Sequence, residues 1–266
     1  MRLALQPRKL RVGLSLLRWR QAAIRAFLCP LCGPSVLLKL DNHELAVRCV
    51  RCGATPISMS LGLVVKALVP NLRHARVCEL SARGAFFDFL RRRADTVVGS
   101  EYIEGVPSGT TVDGVRIEDV EHLSFAEQSF ELCTSTEVFE HVADDRRAFP
   151  EMHRVLKPAG VLLFTVPIDL NGDTFDRAAV RSRDVIHLSP PEFHRDPARG
   201  SSPVLCFRNY GRDITDRLLE AGFSDAEVIV VDGASWFGHA RPVILARKQN
   251  DNPTGVRPNI SSIASG

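Results

Sequence analysis

The sequence predicts an α/β protein: a doubly wound, mostly parallel, seven-stranded sheet with a small cysteine-rich module ahead of it. Three observations carry this reading. From about residue 75 short β-type runs alternate with helix-type segments, the pattern of a sheet with helices on both faces. Residues 161–166 are almost wholly apolar, as in a strand covered on both sides. Four cysteines fall into two tight pairs, at 29 and 32 and at 49 and 52, before the first of those strands.

The chain of 266 residues has room for one large domain and a small appendage. With 45% apolar and 24% charged residues, a packed core is expected over most of its length. No run approaches the roughly 20 apolar residues that cross a bilayer. The net charge of +3 is unevenly spread: Arg2, Arg8, Lys9, Arg11, Arg18, Arg20 and Arg25 precede any acid. Such a basic segment (1–28) suits an anionic partner, nucleic acid or a membrane surface. The apolar stretch 12–17 is too short for a secretory signal and is closed by Arg18-Trp19-Arg20, whereas an Arg-rich, acid-poor start also fits an organelle transit peptide. The plainest expectation is a surface helix with Leu10, Leu14 and Leu17 on one face. Cys78 and Cys133 sit in strand-like runs as small hydrophobes, which is reduced-thiol usage and points to the cytoplasm.

The front module comes first in the chain. Cys29-Pro30-Leu31-Cys32 and Cys49-Val50-Arg51-Cys52 are separated by 16 residues, the spacing of a structural zinc site. Two residues between thiolates let one tight turn present both sulfurs to a tetrahedral ion. Gly33 and Gly53 follow the pairs, where such turns need positive φ. Residues 36–40 and 45–48, around Asp41-Asn42, read as a hairpin. Residues 29–58 are therefore expected to form a zinc ribbon held by Cys29, Cys32, Cys49 and Cys52. The competing reading is a metal-free or redox pair of CxxC motifs. A segment this short draws its folding energy from the metal.

The main domain is expected over residues 70–248. Residues 75–80 read as its first strand, 86–90 as a helix ending at Arg91-Arg92-Arg93, 96–99 as the second strand and 115–117 as the third. Residues 130–135 are the fourth strand. A helix runs through Met152, Val155 and Leu156 to a stop at Lys157-Pro158-Ala159-Gly160, and 161–166 form the fifth strand. An irregular stretch follows, then a helix at 214–219 and two closing strands at 226–231 and 242–246. The polar tail 249–266 is expected to be disordered.

Three blocks in this domain resemble a known family: Leu123-Ser124-Phe125 leading to Ser129-Phe130-Glu131, then residues 136–142, then His153 to Gly160. Together, in order and at suitable separations, they make residues 77–167 similar to the core of class I S-adenosylmethionine-dependent methyltransferases (type 11-like). The resemblance implies a Rossmann-like fold and S-adenosyl-L-methionine as cofactor. In an open α/β sheet a ligand sits at the carboxyl ends of the strands where their order reverses. Glu101, 22 residues after Glu79, fits an acid that takes the ribose hydroxyls, and the family implies the same role. By the same alignment Glu118-Asp119 lies where the adenine amino group is held, with Asp119 preferred, and Val120 packs on the ring. Glu79, Ser81 and Gly84 belong to the first loop, and Ser135, Thr136 and Glu137 line the methionine side. One departure stands out: the family's first loop is glycine-rich, and here only Gly84 remains, out of phase. Arg83 either crowds the cofactor or meets its carboxylate.

Methyl transfer needs alignment, and a base when the acceptor is a hydroxyl. Glu137 and His141 are four apart and would share a helix face at the crevice. His187 and His194 lie in the long stretch after strand five, and neutral imidazole titrates near operating pH. The predicted function is methyl transfer to a small-molecule or glycan acceptor. Two alternatives remain open: an RNA methyltransferase using the basic front and the ribbon, and a non-catalytic scaffold that has lost the cofactor.

Overall fold

The structure, a computed structural model, describes residues 21–182, 184–194 and 203–250. The helix expected around Leu10, Leu14 and Leu17 lies outside these residues, as does the tail from 251. Three antiparallel strands form the front: β1 (Ala23–Cys29), β2 (Gly33–Lys39) and β3 (Val47–Cys49), in that order across the sheet. The expected hairpin forms, with Lys39 opposite Val47. Its turn is wider than predicted, because a 3-10 turn over Glu44–Ala46 takes Leu45 out of the strand. Strand β1 was not foreseen; residues 23–28 were assigned to the basic segment, yet they pair along the whole of β2. Gly33 and Gly53 adopt φ of +83° and +76° just after each cysteine pair.

Helix α1 (Pro56–Leu68) falls where the sequence reading placed a boundary. Its signals are present in the chain: the Thr55 side chain accepts from Ser58 N while the Ser58 hydroxyl accepts from Thr55 N, and Pro56 opens the first turn. Its buried residues join Leu31, Leu37 and Val47 of the front to Val77, Leu132, Leu163 and Leu245 of the main sheet in one apolar cluster. The front therefore has no core of its own and completes the core of the domain behind it. At Gly62 the contact is so close that a Cβ would fall 2.1 Å from Leu31 Cδ2.

The main sheet has eight strands in the order β17-β18-β9-β8-β4-β5-β7-β6. They are β4 (Arg76–Glu79), β5 (Thr96–Glu101), β6 (Thr111–Val112), β7 (Val115–Ile117), β8 (Phe130–Thr136), β9 (Leu156–Thr165), β17 (Asp225–Ile229) and β18 (Val243–Arg247). Helices α2 (Ala85–Arg93), α3 (Asp145–Val155) and α4 (Ile214–Glu220) connect them. Strands β7, β5, β4, β8 and β9 run parallel, and β18 is antiparallel between β9 and β17. The predicted Rossmann-like, mostly parallel architecture is observed. The eighth strand is β6, a two-residue edge folded back on β7. Helix α3 ends at Val155, and Lys157-Pro158-Ala159-Gly160 lies inside β9, where the register against β8 slips between Phe130 and Leu132. Because β5 and β8 leave β4 on opposite sides, the carboxyl ends of these strands flank a crevice.

The stretch expected to be irregular is built of small sheets. Strands β10 (Ile168–Asp169), β16 (Arg208–Gly211) and β11 (Phe175–Asp176) form one, β12 (Ala178–Arg181) and β13 (Asp184–His187) a hairpin, and β14 (Phe193–His194) and β15 (Val204–Leu205) a short ladder. This arm is clamped onto the segment after β8. Arg208 donates to the carbonyls of Val142 (2.7 Å) and Ala143 (2.8 Å), and Tyr210 Oη donates to Asp145 Oδ2 at 3.1 Å. Arg217 reaches the same Asp145 oxygen at 3.0 Å. Arg208 and Tyr210 thus form a buried clamp between the arm and the segment after β8.

Candidate functional site

The crevice at the strand reversal brings together the residues predicted to hold the cofactor. Glu79 is buried at the end of β4, and the Thr134 hydroxyl donates to its carboxylate. The following loop is short of glycine but is tied down: Leu80 N donates to Thr134 O, and Ala82 N donates to Glu101 Oε1 at 3.1 Å. Ser81 Oγ turns inward to Arg83 O (3.3 Å), and Gly84 takes φ +95° where the chain enters α2. The surviving glycine therefore stands at the turn that needs it. Arg83 is exposed, with Nε 3.8 Å from Glu101 Oε1, so it leans toward the carboxylate expected to take the ribose. Gly99 marks a close approach of β5 to this loop, since a Cβ there would meet Ala82 Cα at 3.0 Å.

After β7 the two neighbouring acids divide. Glu118 is buried and fully engaged, accepting from Arg116 Nε at 2.6 Å and Ser124 N at 2.8 Å. Asp119 stays part-exposed, with its backbone N–H held by Ser108 Oγ (2.8 Å) and Oδ1 accepting from Glu121 N. Val120 is buried beside it. On the other side of the crevice Ser135 Oγ and Thr136 Oγ1, at the end of β8, are buried without a hydrogen-bond partner. Their neighbour Glu137 has φ +53°, a left-handed conformation at the strand end, so it does not sit on a helix with His141 as expected. Arg241 Nη2 lies 3.2 Å from Glu137 Oε2 and 2.6 Å from Glu44 Oε1 of the front. Burial, reinforced by the Glu140 charge, pushes the Glu137 carboxyl up to about 8 against the pull of Arg241.

The segment after β8 carries the next group. His141 lies in a 3-10 turn over Phe139–His141, and its ring is edge-on to His194, with centroids 5.0 Å apart. His141 Nδ1 is 2.8 Å from Leu205 O and 3.9 Å from Cys206 Sγ. Glu140 Oε1 lies 3.7 Å from His141 Nε2 and 3.7 Å from His194 Nδ1, and His194 Nε2 is 3.3 Å from Glu192 Oε1. The Cys206 thiolate and then Glu140 raise the His194 imidazole to about 10, so it holds its proton at neutral pH. His141 is pulled down by burial, but Cys206 and Glu140 outweigh this and raise it. Burial pushes Cys206 up, yet the two imidazoles bring it below the ordinary thiol value. His187 stands apart, exposed at the end of β13 opposite Ala178. Glu140 and Cys206 were not singled out from sequence. Glu140 adjoins His141 in the chain, but Cys206 meets both histidines, and Glu140 meets His194, only through the folding of the arm.

In the front, the four predicted cysteines converge. Their sulfurs lie within 4.8 Å of one another, with Cys29 Sγ 3.8 Å from Cys52 Sγ and Cys32 Sγ 3.6 Å from Cys49 Sγ. These separations are far beyond a disulfide bond of about 2 Å. They match the edges of a tetrahedron around an ion with about 2.3 Å bonds to sulfur, roughly 3.8 Å. The hydrogen bond from Cys52 lowers the Cys29 thiol to about 5, so one thiolate is already favoured within the set.

Comparison with known proteins adds relatives to this geometry. Residues 80–164 match the family model described as a methyltransferase domain. A ubiquinone biosynthesis O-methyltransferase of Hahella chejuensis is 31% identical over 130 residues, covering 45% of this chain and 54% of that protein. The chain thus spans about half the length of this curated relative. Among solved structures, an S-adenosylmethionine-dependent methyltransferase of Mesorhizobium loti aligns with a TM-score of 0.46 at 18% identity, over 71% of this chain and 98% of its own. A 1,6-didemethyltoxoflavin N1-methyltransferase of Burkholderia thailandensis, with S-adenosylhomocysteine bound, aligns with a TM-score of 0.42 at 16% identity, over 71% and 77%. From the loop after β4 almost to the end of β9, this chain is similar to methyltransferase domains.

Proposed function

We propose that this protein is an S-adenosylmethionine-dependent methyltransferase acting on a small-molecule or glycan acceptor, with a structural zinc ion in its front. The observation that carries the reading is the pair of hydroxyls at Ser135 and Thr136. They are buried without partners at the strand reversal, and leaving such groups unsatisfied costs about 1–3 kcal/mol each. A ligand entering the crevice between β4 and β8 would satisfy them. Glu101 would take the ribose hydroxyls, Asp119 the adenine amino group with Val120 against the ring, and Ser135 and Thr136 the methionine end. Glu79, Ser81 and Gly84 shape the loop beneath. When bound, the cofactor supplies an electrophilic methyl group. The chain supplies alignment and, at Glu137, a carboxyl whose raised proton affinity suits a general base near neutral pH.

The arm over the β8 end favours a bounded pocket, and the similarity to a ubiquinone biosynthesis O-methyltransferase supports a small acceptor over RNA. Zinc fits the four sulfurs by donor type and separation, with all four ligands from the protein, as in a structural rather than a catalytic site.

Calorimetric titration of the zinc-loaded protein with S-adenosylmethionine tests this. Saturable binding is expected, weakened about 10- to 100-fold in Glu101→Ala, the loss of a hydrogen-bonded charge. A folded parent that takes up no cofactor would leave the scaffold reading in its place. In the active enzyme, Glu137→Gln is expected to lower kcat about 100-fold with cofactor affinity unchanged.

A further inference from the structure

We propose that His141, His194 and Cys206, together with Glu140, form a second divalent-metal site, distinct from the ribbon, at the edge of the crevice. The first argument is convergence. One ligand atom from each of the two imidazoles and the thiol lie within 4.8 Å of one another. The groups come from three separate pieces of chain: the turn after β8, the strand β14 and the residue after β15. Nitrogen and thiolate sulfur together are the donor set of zinc and its neighbours in the transition series.

The second argument is a buried acid held without hydrogen bonds. Glu140 is 1% exposed, and neither of its carboxylate oxygens has a hydrogen-bond partner. Its Oε1 faces a ring nitrogen of each histidine at 3.7 Å, too long for a hydrogen bond. A buried carboxylate needs a cation beside it, and one divalent ion can take the place of the two imidazolium rings that face it here. With Cys206 as thiolate and both imidazoles neutral, the group carries two negative charges, which one divalent ion balances.

The third argument is the surrounding shell. Metal-bound histidines usually engage their second nitrogen with a carbonyl or a carboxylate. Here Glu192 Oε1 lies 3.3 Å from His194 Nε2, which leaves His194 Nδ1 facing the cluster. Without metal the same charges balance by placing a proton on each ring, so metal and protons compete for the site. Binding releases those protons. Glu140 and His141 follow Glu137 by three and four residues, which puts such an ion beside the proposed acceptor pocket.

The test is metal stoichiometry and cobalt spectroscopy on the full chain, stripped and reloaded with Co2+. Neither cofactor nor acceptor is needed, so the result is independent of the methyl-transfer reading. The parent is expected to bind one ion more than Cys206→Ser, and one more than His194→Ala, with proton release on loading. The Cys206→Ser variant should also lose part of the thiolate-to-cobalt charge-transfer band while the ribbon's contribution stays. His194→Gln, on the rim of the arm, serves where a truncation disturbs folding. Equal metal content in parent and all three variants would overturn the proposal, as would a cobalt spectrum unchanged by Cys206→Ser.

Discussion

The two cysteine-bearing clusters of this molecule are built in opposite ways. The four ribbon thiols come from 24 consecutive residues and are presented by two turns of one small sheet. Cys206 and its histidines are up to 65 residues apart and meet only because the arm folds back over the end of β8. The first cluster is a property of local spacing, and the second is a property of topology. The difference teaches which parts of a site can be read from a chain before it folds: those whose geometry is closed by one or two turns.

The largest effect expected from breaking this comparison is at the local cluster. Structural zinc in small modules contributes about 10 kcal/mol or more of folding free energy. With the proposed zinc in place, chelation, or Cys49→Ser, should therefore unfold the front, and because the front shares its core with the main sheet, the whole chain should melt well below the parent. A front that unfolds while the main transition stays put would show that the shared core is unimportant. Next comes the distant cluster. Asp145 is the buried acceptor of Tyr210 and Arg217 and lies 3.6 Å from Arg208. Asp145→Ala removes the buried carboxylate they share, leaving Arg208 to Asp176 and Arg217 to Asp213, at an expected cost of about 3 kcal/mol. It should also expose Cys206 to thiol reagents while the ribbon keeps its metal.

Smaller is Gly62→Ala, which presses on Leu31 in the knuckle of the ribbon. An expected loss of about 1–3 kcal/mol by denaturant unfolding would measure how tightly the front is fitted. The last is a pH effect at Glu137. Its folded-state carboxyl is raised to about 8 from 4.5, so the native state is penalised as pH rises through that window. Glu137→Gln should match the parent near pH 4 and melt higher than it near pH 9, and a parallel pH dependence of the two melting curves would refute the assignment.

The alternation of strands and helices was legible because each element carries its own period and its own stop signals. The order of the parallel strands follows from connection rules once their number is known. Strand β1 was missed because it directly follows the arginine-rich start and itself holds Arg25, so charge outweighed pattern. Helix α1 was missed because the four-cysteine spacing drew a boundary through it, although Thr55, Pro56 and Ser58 spell a helix start. Glu101 and Asp119 could be placed because they sit at strand ends. Glu140 could not, since an acid beside His141 looks like any solvated residue until the arm covers it.

Arg241 holds Glu44 of the front and Glu137 of the crevice with one guanidinium. The two carboxylates compete for a single cation, and Glu44 is among the charges that raise the proton affinity of Glu137. A chain whose front has not assembled would surrender Arg241 wholly to Glu137 and weaken it as a base. With Glu137 as the proposed base, the crevice would act as a checkpoint on assembly: that carboxyl would reach its working strength only once the strands of the front, from Ala23 to Cys49, have folded.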